Sequence, residues 1–359
     1  MPRLRSLRHP DLHAVDSRPA PLICTNDDTL LDVLLDWCSA VGTVPDVVRD
    51  AGMARRSWRG AQFVLVGADL AAEIARDIPP RRPGVFVVGH PGQPEPWDQA
   101  VAIGAEGVLH GSDRDRALTA LTVTVDGGGE ACVIAVVGGV GGAGASCYAA
   151  TLALEAGRRG NRVLLVDGDP LGGGLDVLLG IEKAEGMRWP AAGTQGRAIT
   201  AQSLVDALPH VGNVWLLTAG RHDEAGDMAS ATGILAAARR GFDVVVCDVE
   251  RHVDALGSEL LAHALVTVVV LPEHVRSLAA ATSVVRRLGR HASSLAVVTT
   301  HRRPGLSRET VEATLGVPVI AQVSFDRRLQ EALDHGVGPG GSAALRRAVR
   351  PLLDLVGVA

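Results

Sequence analysis

The stretch ACVIAVVGGVGGAGASCYAATLALEAGRRGNRVLLVDGD, residues 131–169, decides the fold. Cys132 to Val137 is an unbroken apolar run rich in Val and Ile, the mark of a strand buried on both faces of a parallel sheet. Ser146 to Glu155 is rich in Ala and Leu, as a helix is. Between them lie Gly138, Gly139, Gly141, Gly142 and Gly144. A strand, a glycine-rich turn and a helix N-terminus make an anion site, because backbone N–H groups converge there and the helix dipole favours negative charge. Counted from Gly139, the spacing is G-x-x-x-x-G-A-S, the phosphate-loop pattern with Ala145 where a lysine would stand.

These residues resemble the MinD/ParA family of deviant Walker ATPases, and the resemblance runs over about residues 131 to 356. The family loop K-G-G-x-G-K-[ST]-[ST] falls on Val140, Gly141, Gly142, Ala143, Gly144, Ala145, Ser146 and Cys147. Further motifs follow in order. NRVLLVDGD carries the acidic pair Asp167 and Asp169, then come Gly174, Leu175 and Asp176, and FDVVVCD ends on Asp248 as the Walker B acid. The strand 265–271 leads into Pro272 and Glu273, and residues 315–336 match the segment near the adenine.

The resemblance implies a P-loop fold that binds ATP or ADP with Mg²⁺. Gly139, Val140, Gly141, Gly142, Ala143, Gly144, Ala145, Ser146 and Cys147 would form the nucleotide loop. Ser146, Asp167 and Asp248 would form the magnesium shell, and Asp169 would position the attacking water. Both family lysines are missing. Electrostatic groups of this kind are typically worth about 10² to 10³ in rate each, so hydrolysis is expected to be weak or lost. Arg251, or an arginine from a partner subunit, is the alternative source of the charge. The adenine-contacting Asn of the family falls on about Thr300, and its "IP" on Val323 and Ser324, so base recognition departs from the family pattern.

Upstream, short apolar runs alternate with amphipathic segments. Strands are expected at Leu22–Cys24, Phe63–Val66, Val85–Val88 and Gly107–Leu109, with helices at Thr29–Val41, Trp97–Ile103 and Arg114–Leu121, which implies a parallel sheet. The order resembles the receiver domain of response regulators over about residues 20 to 122, with Asn26, Asp27 and Asp28 after the first strand. Val66 and Gly67 stand where the phospho-accepting Asp belongs, and His110 and Gly111 replace the lysine. A degenerate receiver used for docking or dimerisation is the expectation, with Asp69 as the one substitute acceptor. The fold class is therefore α/β, a P-loop MinD/ParA-like parallel sheet preceded by a receiver-like, flavodoxin-like domain. The expected divisions are an N-terminal tail at 1–19, the receiver-like domain at 20–125, a Gly-rich linker at 126–130 and the P-loop domain at 131–359.

Composition sharpens this. Of 35 Lys and Arg in 359 residues, only Lys183 is lysine, and it lies outside the loop. A bias toward arginine would have placed Arg at 140 and 145, where Val and Ala stand instead. Hydrophobic residues are 47% and charged residues 21%, which excludes disorder throughout. The formal charge of −5 supplies no global basic field for nucleic acid or anionic lipid, although Arg pairs such as Arg286 and Arg287 collect toward the C-terminus. Five dispersed cysteines have no metal spacing and fit a reducing compartment. No apolar h-region opens the chain and no run reaches the ~18 apolar residues of a membrane span, so a cytoplasmic protein is expected. The terminal segment Ala343–Val358 resembles the membrane-targeting helix of MinD. Pro351 is expected to interrupt it, and it reads as a final helix packed on the core.

A degenerate receiver joined to a deviant Walker domain resembles the CpaE/TadZ branch of MinD/ParA proteins, and most closely the actinobacterial septum site-determining (Ssd) or CpaE-like group. That resemblance implies a spatial regulator of septum-site selection or of pilus and secretion machinery. Its expected partners are a second copy of the chain and division or secretion proteins, with peripheral placement at the inner membrane face, septum or pole. Three alternatives stay open: an active MinD-like ATPase cycling on the membrane, a ParA-like nonspecific DNA binder and a nucleotide-independent signalling adaptor.

Overall fold

The computed structural model describes residues 20–76, 79–90, 94–126, 130–169, 172–188, 199–218, 228–301 and 305–358. The expected tail at 1–19 and positions 127–129 of the expected linker lie outside them. The chain divides into two units between Val125 and Asp126.

The first unit runs β1 (Leu22–Cys24), α1 (Asp28–Ala40), β2 (Asp46–Val48), α2 (Ala51–Trp58), β3 (Val64–Gly67), α3 (Ala68–Arg76), β4 (Val85–Gly89), α4 (Trp97–Ile103), β5 (Gly107–His110) and α5 (Arg114–Asp126). Its sheet is parallel in the order β2-β1-β3-β4-β5, the flavodoxin-like winding. Apolar strands form it because both faces are covered, and Val64, Leu65 and Val66 are fully buried. Asp27 and Asp50 start α1 and α2 by accepting from the N–H groups of Leu30 and Met53. Three elements go beyond the sequence expectation. β2 is short and half exposed, α2 buries only Ala51, Ala54 and Trp58, and α3 leaves β3 without a turn residue between them. α5 also continues past Leu121 to Asp126.

The second unit begins with β6 (Cys132–Gly138), α6 (Ala145–Arg158), β7 (Val163–Gly168), α7 (Leu175–Leu179), α8 (Ala201–Ala207), β8 (His210–Val211), β9 (Val214–Leu217) and α9 (Met228–Gly241). It continues with β10 (Val244–Val249), α10 (Ala255–His263), β11 (Val266–Pro272), α11 (Val275–Leu288), β12 (Leu295–His301), α12 (Arg308–Leu315), β13 (Val319–Ser324), α13 (Arg327–Asp334) and α14 (Ala343–Leu355). The sheet order is β13-β12-β11-β6-β10-β7-β9-β8, parallel except for the β8–β9 pair at one edge. The alternation along β6 serves two cores. Val133, Ala135 and Val137 face a layer containing Leu260, Leu278 and Val311, while Ile134 and Val136 face Tyr148, Leu152, Val349 and Leu352 of α6 and α14.

The expected interruption at Pro351 does not occur, for α14 runs through it. Pro351 and Arg347 lie on the exposed face, so the carbonyl that loses its partner meets water. Against a cost of about 3 kcal/mol for an interior proline stand Leu345, Ala348, Val349, Leu352 and Leu353, all buried. Full burial of each larger one contributes about 1.5–3 kcal/mol, which outweighs the proline. The apolar face of α14 is thus part of the core beside α6, and the Tyr148 hydroxyl donates to the Ala348 carbonyl at 3.3 Å. Among the described residues, no helix is long and apolar enough to cross a membrane.

Candidate functional site

In a wound parallel sheet, ligand space opens at the carboxyl ends of the strands. β6 ends there in the glycine loop, and β10 and β11 flank it. The loop is anchored where the Gly139 N–H donates to the Val270 carbonyl at 2.8 Å. A Cβ on Gly139 would come within 3.1–3.3 Å of Leu271, Ala281 and Val269, so the loop enters through a narrow gap where any side chain would press on its neighbours. Gly142 and Gly144 then take φ of 69° and 90°, left-handed conformations that let the loop turn tightly before α6 begins.

A cavity of about 800 Å³ lies over this loop. Val140 to Cys147 line one side, Asp169, Asp248 and Arg251 another, and Thr300, His301 and Ser324 the far end. Gly139 stands behind the loop, packed on β11 and α11. A second pocket of about 240 Å³ shares Ser146, Asp169 and Asp248 with the first and adds Asp167.

Register brings the acids together. Asp248 on β10 pairs with Asp167 on β7 in a parallel ladder, so their side chains leave the sheet on the same side. Both are buried. Burial pushes the Asp248 carboxyl up to about 7, and the charges of Asp167 and Asp169 push the same way against a hydrogen bond from Ser146. Burial also raises Asp167, although it accepts from the N–H of Leu175 at 3.0 Å, the N–H of Asp169 at 3.2 Å and the Thr218 hydroxyl at 3.0 Å. Both of its oxygens are engaged. Asp167 therefore fixes the loop that carries Asp169 and the start of α7, whereas Asp248 and Ser146 face open space. Crowded carboxylates without a lysine call for a cation, yet no group of three His, Cys, Asp or Glu among the described residues would hold a metal unaided. That combination fits Mg²⁺, which prefers few protein oxygens and arrives with phosphate. The N–H groups of the loop and the Ser146 hydroxyl fit the phosphates of a nucleotide. Cys147 contributes no nucleophile, since burial and then Asp248 push its thiol up to about 11.

At the far end of the cavity, Glu273 is buried directly after β11. It accepts from the Thr299 hydroxyl at 2.7 Å and the Gln322 amide at 2.5 Å, and pairs with Nδ1 of His301 at 2.6 Å. Burial alone would raise its carboxyl, but the bonds from Gln322, His301 and Thr299 outweigh burial and lower it. Sequence reasoning missed His301. The available signal was its place one residue after Thr300, since Pro272 and Thr300 are register partners at the ends of adjacent strands.

In the first unit the corresponding strand ends are closed. Asp69 accepts from the Thr25 hydroxyl at 2.8 Å and the Asn26 N–H at 2.6 Å. Asp27 caps α1 and pairs with Nε2 of His90 at 2.5 Å. Its carboxyl is lowered by the Leu30 N–H first and by His90 second. His110, in the lysine position, pairs with Glu95 at 3.0 Å.

Residues 24–131 match the sequence-family model described as "Rv3660c-like, CheY-like N-terminal domain". Over 320 residues, 86% of this chain and 90% of the relative, the chain is 34% identical to "Uncharacterized protein Rv3660c" of Mycobacterium tuberculosis (strain ATCC 25618 / H37Rv). It matches "Uncharacterized protein MT3760" of strain CDC 1551 / Oshkosh to the same extent. Among solved structures, a ParA family ATPase from Chlorobium tepidum TLS superposes with TM-score 0.51 at 20% identity, covering 63% of this chain and 98% of its own. The MinC:MinD cell division protein complex of Aquifex aeolicus gives 0.52 at 19%, covering 62% and 96%. The septum site-determining protein MinD of Pyrococcus horikoshii OT3, complexed with Mg-ADP, gives 0.50 at 18%, covering 62% and 95%. The molecule thus joins a receiver-like domain to a MinD/ParA P-loop NTPase fold.

Proposed function

The chain belongs to the family of the Mycobacterium tuberculosis protein Rv3660c, and on that premise we propose that it is a nucleotide-binding spatial regulator of MinD/ParA type. Its phosphate loop keeps the cradle and has lost both catalytic lysines. The observation that carries this is a single cavity in which the turned loop, Ser146 and Asp248 meet, while Val140 and Ala145 occupy the lysine positions.

Each residue has a definite task. The N–H groups from Gly141 to Ser146 would bind the phosphates of ATP or ADP, and Ser146, whose hydroxyl donates to Asp248, would hold Mg²⁺. Asp167 holds Asp169 in place, and Asp169 orients water over the loop. Bound Mg²⁺ would neutralise phosphate charge and draw the Asp248 carboxyl back to its ionised form. Without lysine at 140 or 145 the loop itself supplies no cation to the charge developing on a transferring phosphate, so hydrolysis is weak or lost.

Nucleotide occupancy would then act as a signal more than as a fuel. The regulator would dimerise and use residues 20–125 as a docking domain, joined through the linker at 126–130 to the P-loop domain at 131–359. The similar Aquifex MinD is seen in complex with MinC, and the Pyrococcus MinD with Mg-ADP, which supports a division partner and a magnesium nucleotide. The pairing of domains supports the CpaE/TadZ-like and septum site-determining branch, with a role at the division site or in placing pilus and secretion machinery. Action at the inner membrane face, septum or pole would pass through partners, because the apolar face of α14 is buried.

The test is titration of the full chain with ATP and ADP, with and without Mg²⁺, together with turnover. Magnesium-dependent binding with turnover no faster than that of Asp248→Ala is expected. Absence of binding would overturn the nucleotide reading. Turnover abolished by Asp248→Ala would make the protein an active ATPase.

A further inference from the structure

The cavity has a cation that the phosphate loop does not supply. Arg251 lies in the turn after β10, and its Nη1 stands 3.2 Å from the point where a Cβ on Gly141 would sit, with Nη2 and Cζ at 3.9 Å. The guanidinium therefore lies along the backbone of the loop and lines the cavity over it. Among the described residues no carboxylate pairs with it, although Arg is the residue type that most readily takes one. A guanidinium and a ring of backbone N–H groups have no attraction for each other. What both attract is an anion in the cavity they line.

The turn that presents Arg251 is strained and held. Val253 has φ of 44°, a left-handed conformation that is costly for a β-branched residue, and it is the one non-glycine with positive φ among the described residues. Such an outlier persists only where its surroundings over-determine it. Here four contacts do so. The Val253 N–H donates to the Glu250 carbonyl at 3.2 Å, and Nη1 of Arg287 donates to the His252 carbonyl at 3.0 Å. Asp254 caps α10 through the Gly257 N–H at 2.7 Å, and the Val253 side chain packs on the core. An exposed side chain is thereby carried on a fixed backbone, two residues before the strained one.

We propose that Arg251 replaces the two absent lysines as the phosphate-binding cation, holding the terminal phosphates of the nucleotide from beside the loop at Gly141. This rests on the nucleotide reading above and adds the origin of the charge. A guanidinium suits the task because its planar fork donates two parallel hydrogen bonds to phosphate oxygens, whereas the side chains of Val140 and Ala145 donate none.

The test measures ATP affinity in Mg²⁺ by calorimetric titration of the full chain and four variants: Arg251→Ala, Arg251→Lys, Arg251→Ala with Ala145→Lys, and Arg290→Ala, an exposed arginine outside the cavity. Arg251→Ala should weaken binding about tenfold or more, the worth of one charge-assisted phosphate contact. Arg251→Lys should recover part of the loss, and Ala145→Lys should restore it from the loop side. Arg290→Ala should bind as the parent does, which separates a local contact from general charge. Parent binding with an equal affinity for Arg251→Ala would overturn this inference and leave the nucleotide reading intact. No binding by the parent would overturn both.

Discussion

Both sheets carry acids at the carboxyl ends of their strands, but in the first unit Asp27 and Asp69 are taken up by local hydrogen bonds, whereas in the second Asp248, held by Ser146, borders a cavity. Asp69 is taken by Thr25 and Asn26, and Asp27 by the start of α1 and by His90. The acceptor position has also closed, since a Cβ on Gly67 would overlap the Asp69 carboxylate and come within 2.7 Å of the Thr25 hydroxyl oxygen. In the second unit, loss of the lysines left the cavity open, with Ser146 and Asp248 facing it. A site that has lost a reactive residue remains able to bind when its space is not refilled and polar groups still border that space. By that criterion the first unit is filled at the acceptor position, and the second keeps room for a ligand.

Back-substitution should break the symmetry most visibly. Ala145→Lys extends into open space and is expected to raise ATP turnover by about 10² to 10³, measured as phosphate release. Gly67→Asp meets filled space. It is expected to lower unfolding stability by about 2 kcal/mol or more and to incorporate no phosphate from acetyl phosphate.

Glu273, like Asp167, is an acid of the second unit that the protein takes up with its own donors, and it should behave like a structural group. Glu273→Ala leaves Thr299, Gln322 and His301 without their acceptor and is expected to cost about 2–4 kcal/mol at pH 7 in denaturant unfolding. The folded carboxyl lies below its unfolded value of 4.5, so the folded state binds fewer protons between the two values. Its contribution is complete above pH 4.5 and falls away as pH drops through the folded value, so the gap between parent and variant should narrow in acid. Asp69→Ala is the smallest change. A loss of about 1–2 kcal/mol in stability with nucleotide affinity unaltered is expected from its two partly exposed hydrogen bonds.

What could be read from sequence had local signals. The β6–loop–α6 unit rests on glycine spacing beside a Val-rich run, and Asp167 and Asp248 were legible because each ends an apolar strand. β2, α2 and α3 were not, because a three-residue strand and a helix burying two alanines and a tryptophan leave little periodicity. The placement of Arg251 on Gly141 depends on a left-handed valine, which no residue pattern announces. The Glu273–His301 pair depends on the register of two strands, and continuity through Pro351 depends on which face of α14 meets water. Each of these is a tertiary fact.

The position of β6 has a consequence during synthesis. It is the central strand, and both neighbours come late: Cys132 pairs with Val244, and Ile134 with Val266. At roughly 5–20 residues per second, a nascent chain leaves the ribosome with an unpaired Val-Ile-Ala-Val-Val segment for about 5–20 s before β10 exists. Throughout that interval the glycine loop has no completed sheet to grow from. Protection of that segment falls to chaperones or to speed, and a chain stopped before Val244 presents a bare, aggregation-prone strand.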